Sequence, residues 1–170
     1  MTLVIQMHGL PGSGKSTVAR ALAPRIGAIV LDKDVIKAAL LRAGVAEKQA
    51  GPAAYEVYFA QAEELVSLGH NVILDNPVYW PIVEQRSKDI CARTGAPRLI
   101  VECLLSDTDE RGRRLVARHG LESQQSTPAE GGGGSPGYQL SGERIVLNTS
   151  RPVDELVDSA LAYIKGEVRA

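Results

Sequence analysis

The chain has 170 residues, 44% of them hydrophobic, enough for one compact domain that buries roughly 70% of its unfolded surface and too few for a second independent one. Its 19 Lys and Arg oppose 20 Asp and Glu for a formal charge of −1, so no global field draws it to nucleic acid or an anionic membrane, and any basic site must be local. No apolar run reaches the ~20 residues of a spanning helix, Met1 leads into strand-like sequence without a signal peptide's basic start, and Cys91 and Cys103 lack zinc-site or disulfide-framework spacing; a cytoplasmic protein with no membrane partner and two small buried thiols is expected.

Leu3 to His8 is a continuous apolar segment that predicts a buried strand, followed by a helix over Lys15 to Ile26 and a second strand over Ala28 to Leu31. Helical patterns run over Asp34 to Ala43 and Pro52 to Leu68. The latter sets Tyr55, Tyr58, Phe59, Ala62, Leu65 and Val66 on one face, read as core, and Gly69 stops it. Asn71 to Asp75 is a third strand, and Trp80 to Thr94 a helix with Pro81 near its first turn. Leu99 to Leu105 is a fourth strand, Thr108 to His119 a strongly basic helix, Arg144 to Leu147 a fifth strand, and Val153 to Ile164 a closing helix. Short strands without strict polar alternation, separated by helices, predict an α/β fold with a parallel sheet covered on both faces. Ser123 to Tyr138 breaks the pattern with Gly131 to Gly134 and then Ser135-Pro136-Gly137. Such a stretch cannot bury enough apolar area to order itself and reads as a mobile loop inside a single domain spanning residues 1–170.

Gly9-Leu10-Pro11-Gly12-Ser13-Gly14-Lys15-Ser16-Thr17 fits the phosphate-binding pattern GxxxxGKS/T between a first strand and a helix. Gly12, Ser13 and Gly14 let consecutive backbone N–H groups turn toward phosphate oxygens, and the positive end of the following helix adds to them. Lys15 would reach the β and γ phosphates of ATP and Ser16 would ligate Mg²⁺. Thr17 is open between an α-phosphate contact and helix packing. No guanine-reading NKxD occurs, and the DxxG match at Asp109 to Gly112 falls in the basic helix. A motor-type or AAA ATPase usually ends its third-strand motif in Asp-Glu, whereas this strand ends Leu74-Asp75-Asn76-Pro77 with no second carboxylate to polarise water. That favours phosphoryl transfer to a hydroxyl over hydrolysis.

With the phosphate loop, the Leu31-Asp32-Lys33-Asp34-Val35-Ile36-Lys37 segment, the Val72-Ile73-Leu74-Asp75 strand and an Arg-rich helix before a flexible loop, the chain resembles the small P-loop kinases. These include polynucleotide 5′-kinases, zeta toxins, chloramphenicol phosphotransferases and gluconate or shikimate kinases. The resemblance implies a P-loop NTPase three-layer sandwich whose five-stranded parallel sheet has the order 2-3-1-4-5, with ATP across the carboxyl ends of the strands and a lid at 119–140.

It also implies roles. Asp34 matches the acidic residue that takes the proton of the acceptor hydroxyl, and it equally suits a helix N-cap; Asp32 is the alternative base. Lys37 stands where polynucleotide kinases carry an arginine that holds a substrate phosphate, and a lysine cannot form that bidentate fork. Asp75 would hold Mg²⁺ or its water, or orient the acceptor. Arg114 and Arg118 share a helix face and match lid arginines that clamp the phosphates, with Arg118 also placed for the adenine. Arg151, in Asn148-Thr149-Ser150-Arg151-Pro152, belongs to the stretch matching the adenine-flanking loop, where Thr149 or Ser150 could instead cap a helix. Tyr79 and Trp80 are acceptor-pocket candidates, and His8 reads as a buried, hydrogen-bonded histidine. Together these predict an ATP-dependent kinase acting on a small-molecule hydroxyl, monomeric or homodimeric. A polynucleotide 5′-hydroxyl kinase, a zeta-toxin-like kinase and a non-catalytic ATP-binding regulator are the alternatives.

Overall fold

A computed structural model of the chain describes residues 2–76, 81–117 and 140–168. The elements alternate: β1 (Val4–His8), α1 (Lys15–Ile26), β2 (Ala28–Asp32), α2 (Lys33–Arg42), α3 (Glu47–Ser67), β3 (Asn71–Asp75), α4 (Pro81–Thr94), β4 (Arg98–Leu104), α5 (Thr108–Val116), β5 (Arg144–Asn148) and α6 (Val153–Glu167). The five strands form one parallel sheet in the order β2-β3-β1-β4-β5, as the resemblance implies. β1 lies in the middle, so the loop that follows it opens at the centre of the sheet's carboxyl edge, where open α/β sheets place ligands.

Because side chains alternate across a strand, each face of the sheet carries its own core. Leu3, Ile5 and Met7 pack with Val18 and Leu22 of α1 and with Leu156 and Ala160 of α6. Val4, Val72, Leu74 and Ile100 pack on the other face with Tyr58 and Phe59 of α3 and Val83 and Ile90 of α4. Fully burying a side chain such as Ile5 or Leu22 stabilises the fold by about 1.5–3 kcal/mol each. Tyr58 and Phe59 are core, as their helical spacing predicts, and their rings meet edge to face at 5.1 Å. Cys103 is buried and Cys91 half-buried, both as free thiols. Burial pushes their pKa values up to about 12 and about 11.

Four element starts differ from the sequence reading, among them β1, which begins at Val4 and not Leu3. α3 begins at Glu47 rather than Pro52: fully buried Ala50 donates its N–H to the Ala46 carbonyl at 2.9 Å, so packing extends the helix through a proline. Pro52 and Lys48, whose carbonyl the proline leaves without a helical N–H, are both exposed residues. α2 begins at Lys33, with Asp32 and not Asp34 as its N-cap. β4 starts one residue earlier, at Arg98. The lid expected at 119–140 lies almost wholly outside the described residues. Among those residues, no helix is long and apolar enough to cross a membrane.

Candidate active site at the phosphate loop

The turn after β1 is held by backbone conformations that favour glycine. Gly9, Gly12 and Gly14 have φ of 131°, 79° and 86°. At Gly9 a Cβ would lie 2.2 Å from the Cys103 carbonyl oxygen, and at Gly12 it would meet the Arg111 carbonyl at 2.8 Å. Glycine therefore permits the turn to pack against β4 and α5 as well as to curl. The Ser13 N–H closes a turn on the Leu10 carbonyl at 3.1 Å, and Gly14 caps α1, which starts at Lys15. Lys15 Nζ donates to the Gly9 and Leu10 carbonyls at 2.8 and 2.9 Å. The predicted Gly12, Ser13, Gly14, Lys15, Ser16 and Thr17 are thus gathered at one helix N-terminus, with Thr17 exposed on α1 and not packed in the core.

Asp75 ends β3 beside this helix. It is 4% exposed, and burial raises its pKa; the neighbouring Asp32 adds to the rise, while a hydrogen bond from Ser16 and the charges of Lys15 and Arg20 oppose it. Asp32 is its register partner on β2 and also accepts from Arg20 at 3.1 Å. Asp75 Oδ2 has no hydrogen-bond partner among the described residues. A buried carboxylate with an orphaned oxygen, joined to the hydroxyl that opens α1, fits a Mg²⁺ ion held by one carboxylate, one hydroxyl and phosphate oxygens. No group of three or more His, Cys, Asp or Glu able to hold a metal occurs among the described residues, so a cage made wholly of such side chains is not on offer there.

On the opposite face of the same edge, Asp34 stands in the first turn of α2. Its N–H bonds the Asp32 carboxylate at 2.9 Å, and its own carboxylate pairs with Lys33 at 2.5 Å. The Lys33 ammonium also sits 5.5 Å from the centre of the Tyr55 ring. Lys37, one turn further along, pairs with the exposed Glu47 at 3.9 Å. Beneath them, Asn76 is a hub: its Oδ1 accepts from Tyr58 Oη at 2.9 Å and from Gln6 Nε2 at 3.0 Å.

Arg114 and Arg151 lie on the β4–β5 side. Arg114 on α5 donates to Glu110 at 3.0 Å and to the Thr149 carbonyl at 3.2 Å. Arg151 pairs with Glu155 at 2.7 Å on the surface. His8 is buried, as expected, and its Nδ1 has no hydrogen-bond partner among the described residues. Burial lowers its pKa, Glu102 acts to raise it, and Lys15 acts to lower it. Glu102 is its register partner on β4 and accepts from Arg144 at 3.2 Å. Arg118, Tyr79 and Trp80 lie outside the described residues.

The sequence profile of a family described as AAA domain matches residues 4–130, a span that takes in the phosphate loop, Asp34, Asp75 and Arg114. The chain belongs to this family. An uncharacterized protein of Mycobacterium tuberculosis is 34% identical over 128 residues, as is one of Mycobacterium bovis. That alignment covers 68% of this chain but 25% of the relatives, so the chain spans about a quarter of their length. Among solved structures, a candidate kinase from Chloroflexus aurantiacus superposes with a TM-score of 0.73 at 16% identity, covering 97% of each chain. The APS kinase of Mycobacterium tuberculosis in complex with AMPPNP and APS gives 0.69 at 22% identity, covering 96% of this chain and 98% of that one. A gluconokinase from Sinorhizobium meliloti gives 0.57 at 17%, covering 95% and 90%. This AAA-domain chain therefore has the fold of the small P-loop kinases.

Two roles in this family member were not visible in its sequence. Thr149 is neither a cap nor an open adenine contact: its hydroxyl reaches the Ser13 carbonyl at 2.8 Å, while α6 is capped at Pro152 without a side-chain bond. Asn76 is committed to a buried network and not open to a ligand through Oδ1. Nothing short of the strand register could have signalled either, because the partners lie 136 and 70 positions away in sequence.

Proposed function

We propose that the chain is an ATP-dependent phosphotransferase that moves the γ-phosphoryl group of ATP to a hydroxyl of a small molecule. The observation that carries this reading is the pairing of Ser16 with a buried, half-satisfied Asp75 beside a glycine-shaped phosphate loop, on a strand where Asp75 is followed by Asn76 and not by a water-activating carboxylate. In the nucleotide complex the ammonium of Lys15 exchanges the Gly9 and Leu10 carbonyls for β- and γ-phosphate oxygens. Bound Mg²⁺, held by Ser16 and Asp75, would neutralise phosphate charge. Asp34 orients the acceptor hydroxyl and accepts its proton as the new O–P bond forms and the bond to the β-phosphate oxygen breaks, releasing ADP. Lys37 offers a point charge to the acceptor. Arg114 would leave the Thr149 carbonyl to face the transferring group.

A small acceptor is favoured because the chain is near neutral overall and most described basic side chains outside α5 are already paired with carboxylates, which leaves little free positive charge to track a phosphodiester backbone. The test is coupled ADP release with sugars, nucleosides, amino acids, aminoglycoside and phenicol antibiotics, and 5′-hydroxyl oligonucleotides. Release stimulated by a small hydroxyl compound is expected. Stimulation by oligonucleotides alone would overturn the small-molecule assignment, and release no faster than background hydrolysis with every acceptor would overturn the kinase reading.

A further inference from the structure

The hydroxyl of Thr149, on a residue 5% exposed, lies 2.8 Å from the Ser13 carbonyl oxygen and 3.2 Å from that of Leu104. A hydroxyl has one proton to give, and the shorter contact identifies Ser13 as the acceptor. Ser13 is in the phosphate loop, so this bond acts on the direction of a peptide plane. In a trans peptide the carbonyl and the following N–H point opposite ways. Drawing the Ser13 carbonyl outward to Thr149 therefore turns the Gly14 N–H toward the concave side of the loop, where an anion is received. Gly14, at φ 86°, adopts this geometry without a Cβ to strain it, and a Cβ there would touch the Thr149 side chain at 3.5 Å.

Thr149 is itself held on both sides. Its N–H bonds the Leu104 carbonyl at 2.9 Å, and its carbonyl accepts from Arg114 at 3.2 Å. One residue thus links the end of β4, the basic helix α5 and the phosphate loop. We propose that Thr149 is a positioning residue that presets the phosphate cradle by holding the Ser13 carbonyl. The proposal rests on the nucleotide-binding reading of the loop but not on any particular acceptor.

Thr149→Val replaces the hydroxyl by a methyl of similar size, and Thr149→Ser keeps the hydroxyl. Affinity for Mg²⁺-AMPPNP by calorimetry and for adenosine by NMR titration separates cradle from base-side effects. Thr149→Val is expected to weaken AMPPNP about tenfold, the worth of roughly one hydrogen bond, with adenosine changed less than about twofold; Thr149→Ser is expected to match the parent. Unchanged AMPPNP affinity in Thr149→Val, an equal loss for adenosine, or an equal loss in Thr149→Ser would each overturn the proposal. A parent chain that fails to bind AMPPNP overturns the nucleotide reading instead, and the amide resonance of Gly14 in the unliganded protein then decides the latch by itself. It shifts in Thr149→Val and holds in Thr149→Ser; an unmoved resonance in Thr149→Val overturns the latch.

Discussion

Asp75→Asn is expected to make the unliganded protein more stable while removing the contribution of Mg²⁺ to nucleotide binding. Asp75 is buried at 4% exposure, one of its oxygens has no hydrogen-bond partner among the described residues, and Asp32 stands at the neighbouring register position. Burial and then the Asp32 charge raise its pKa above the ordinary 3.8. A carboxyl whose folded pKa is raised holds its proton more tightly in the native state, so its contribution to stability falls as pH climbs from about 3.8 through the folded value and stays low at neutrality. The amide keeps the shape and removes the charge, which recovers on the order of 1–3 kcal/mol, the usual cost of a poorly compensated buried polar group. For a chain of this size each kcal/mol moves Tm by about 2–4 °C, so a rise of several degrees is expected by calorimetry in metal-free buffer at neutral pH. The rise should shrink as pH falls through the raised folded pKa and the parent carboxyl takes up its proton. In the same samples, Mg²⁺ should tighten AMPPNP binding to the parent and have little effect on the variant. A variant that melts at or below the parent temperature, or that still gains affinity from Mg²⁺ as the parent does, would refute this account of Asp75.

Other expectations follow from the same geometry. Lys15→Ala should abolish detectable phosphoryl transfer and weaken AMPPNP binding at least tenfold by calorimetry, because the ammonium that spans the loop carbonyls is the one that moves to the phosphates. Asp34→Asn should lower kcat by about 10²–10⁴ while AMPPNP affinity stays within about twofold, in steady-state and binding measurements together; Asp32 already caps α2, so the helix keeps its start. Gly12→Ala places a Cβ 2.8 Å from the Arg111 carbonyl at a φ of 79° and should cost about 1–3 kcal/mol in denaturant unfolding. His8 has a lowered pKa, so stability should fall as pH drops below the unfolded value of about 6.5 and the buried ring resists its proton. Urea unfolding across that range should show a shallower slope for His8→Asn.

How far the sequence foretold this molecule depended on whether a feature was local. The strand and helix order followed from apolar runs and glycine stops, and the phosphate loop from a contiguous motif whose neighbours in space are its neighbours in sequence. The starts of α2 and α3 were set by partners the sequence does not display: the Asp32 side chain taking the cap, and the burial of Ala50 drawing helix past Pro52. The site divided in the same way. Lys15 and Ser16 were legible from spacing. Asp75 was legible as a strand-end acid, but its orphaned oxygen depends on register with β2, and the Thr149 bond to Ser13 needed the β5 loop folded over the centre of the sheet. Asn76 follows the strand-end acid in sequence, and only the convergence of Gln6 and Tyr58 shows where its oxygen is spent.

The Asn76 hub also bears on what this chain could become. Hydrolases of related architecture place a carboxylate just after the strand-end aspartate, so a single change of Asn76 to Glu would look, on paper, like a way to add a water-activating group. Here the amide oxygen joins β1 to α3 through Gln6 and Tyr58 in a buried polar cluster, and a longer, charged side chain would have to evict one of them and lie buried itself. The neighbouring positions would need to change in concert before water activation could be gained. The packing beneath the site thus opposes the gain of a water-activating carboxylate at this position.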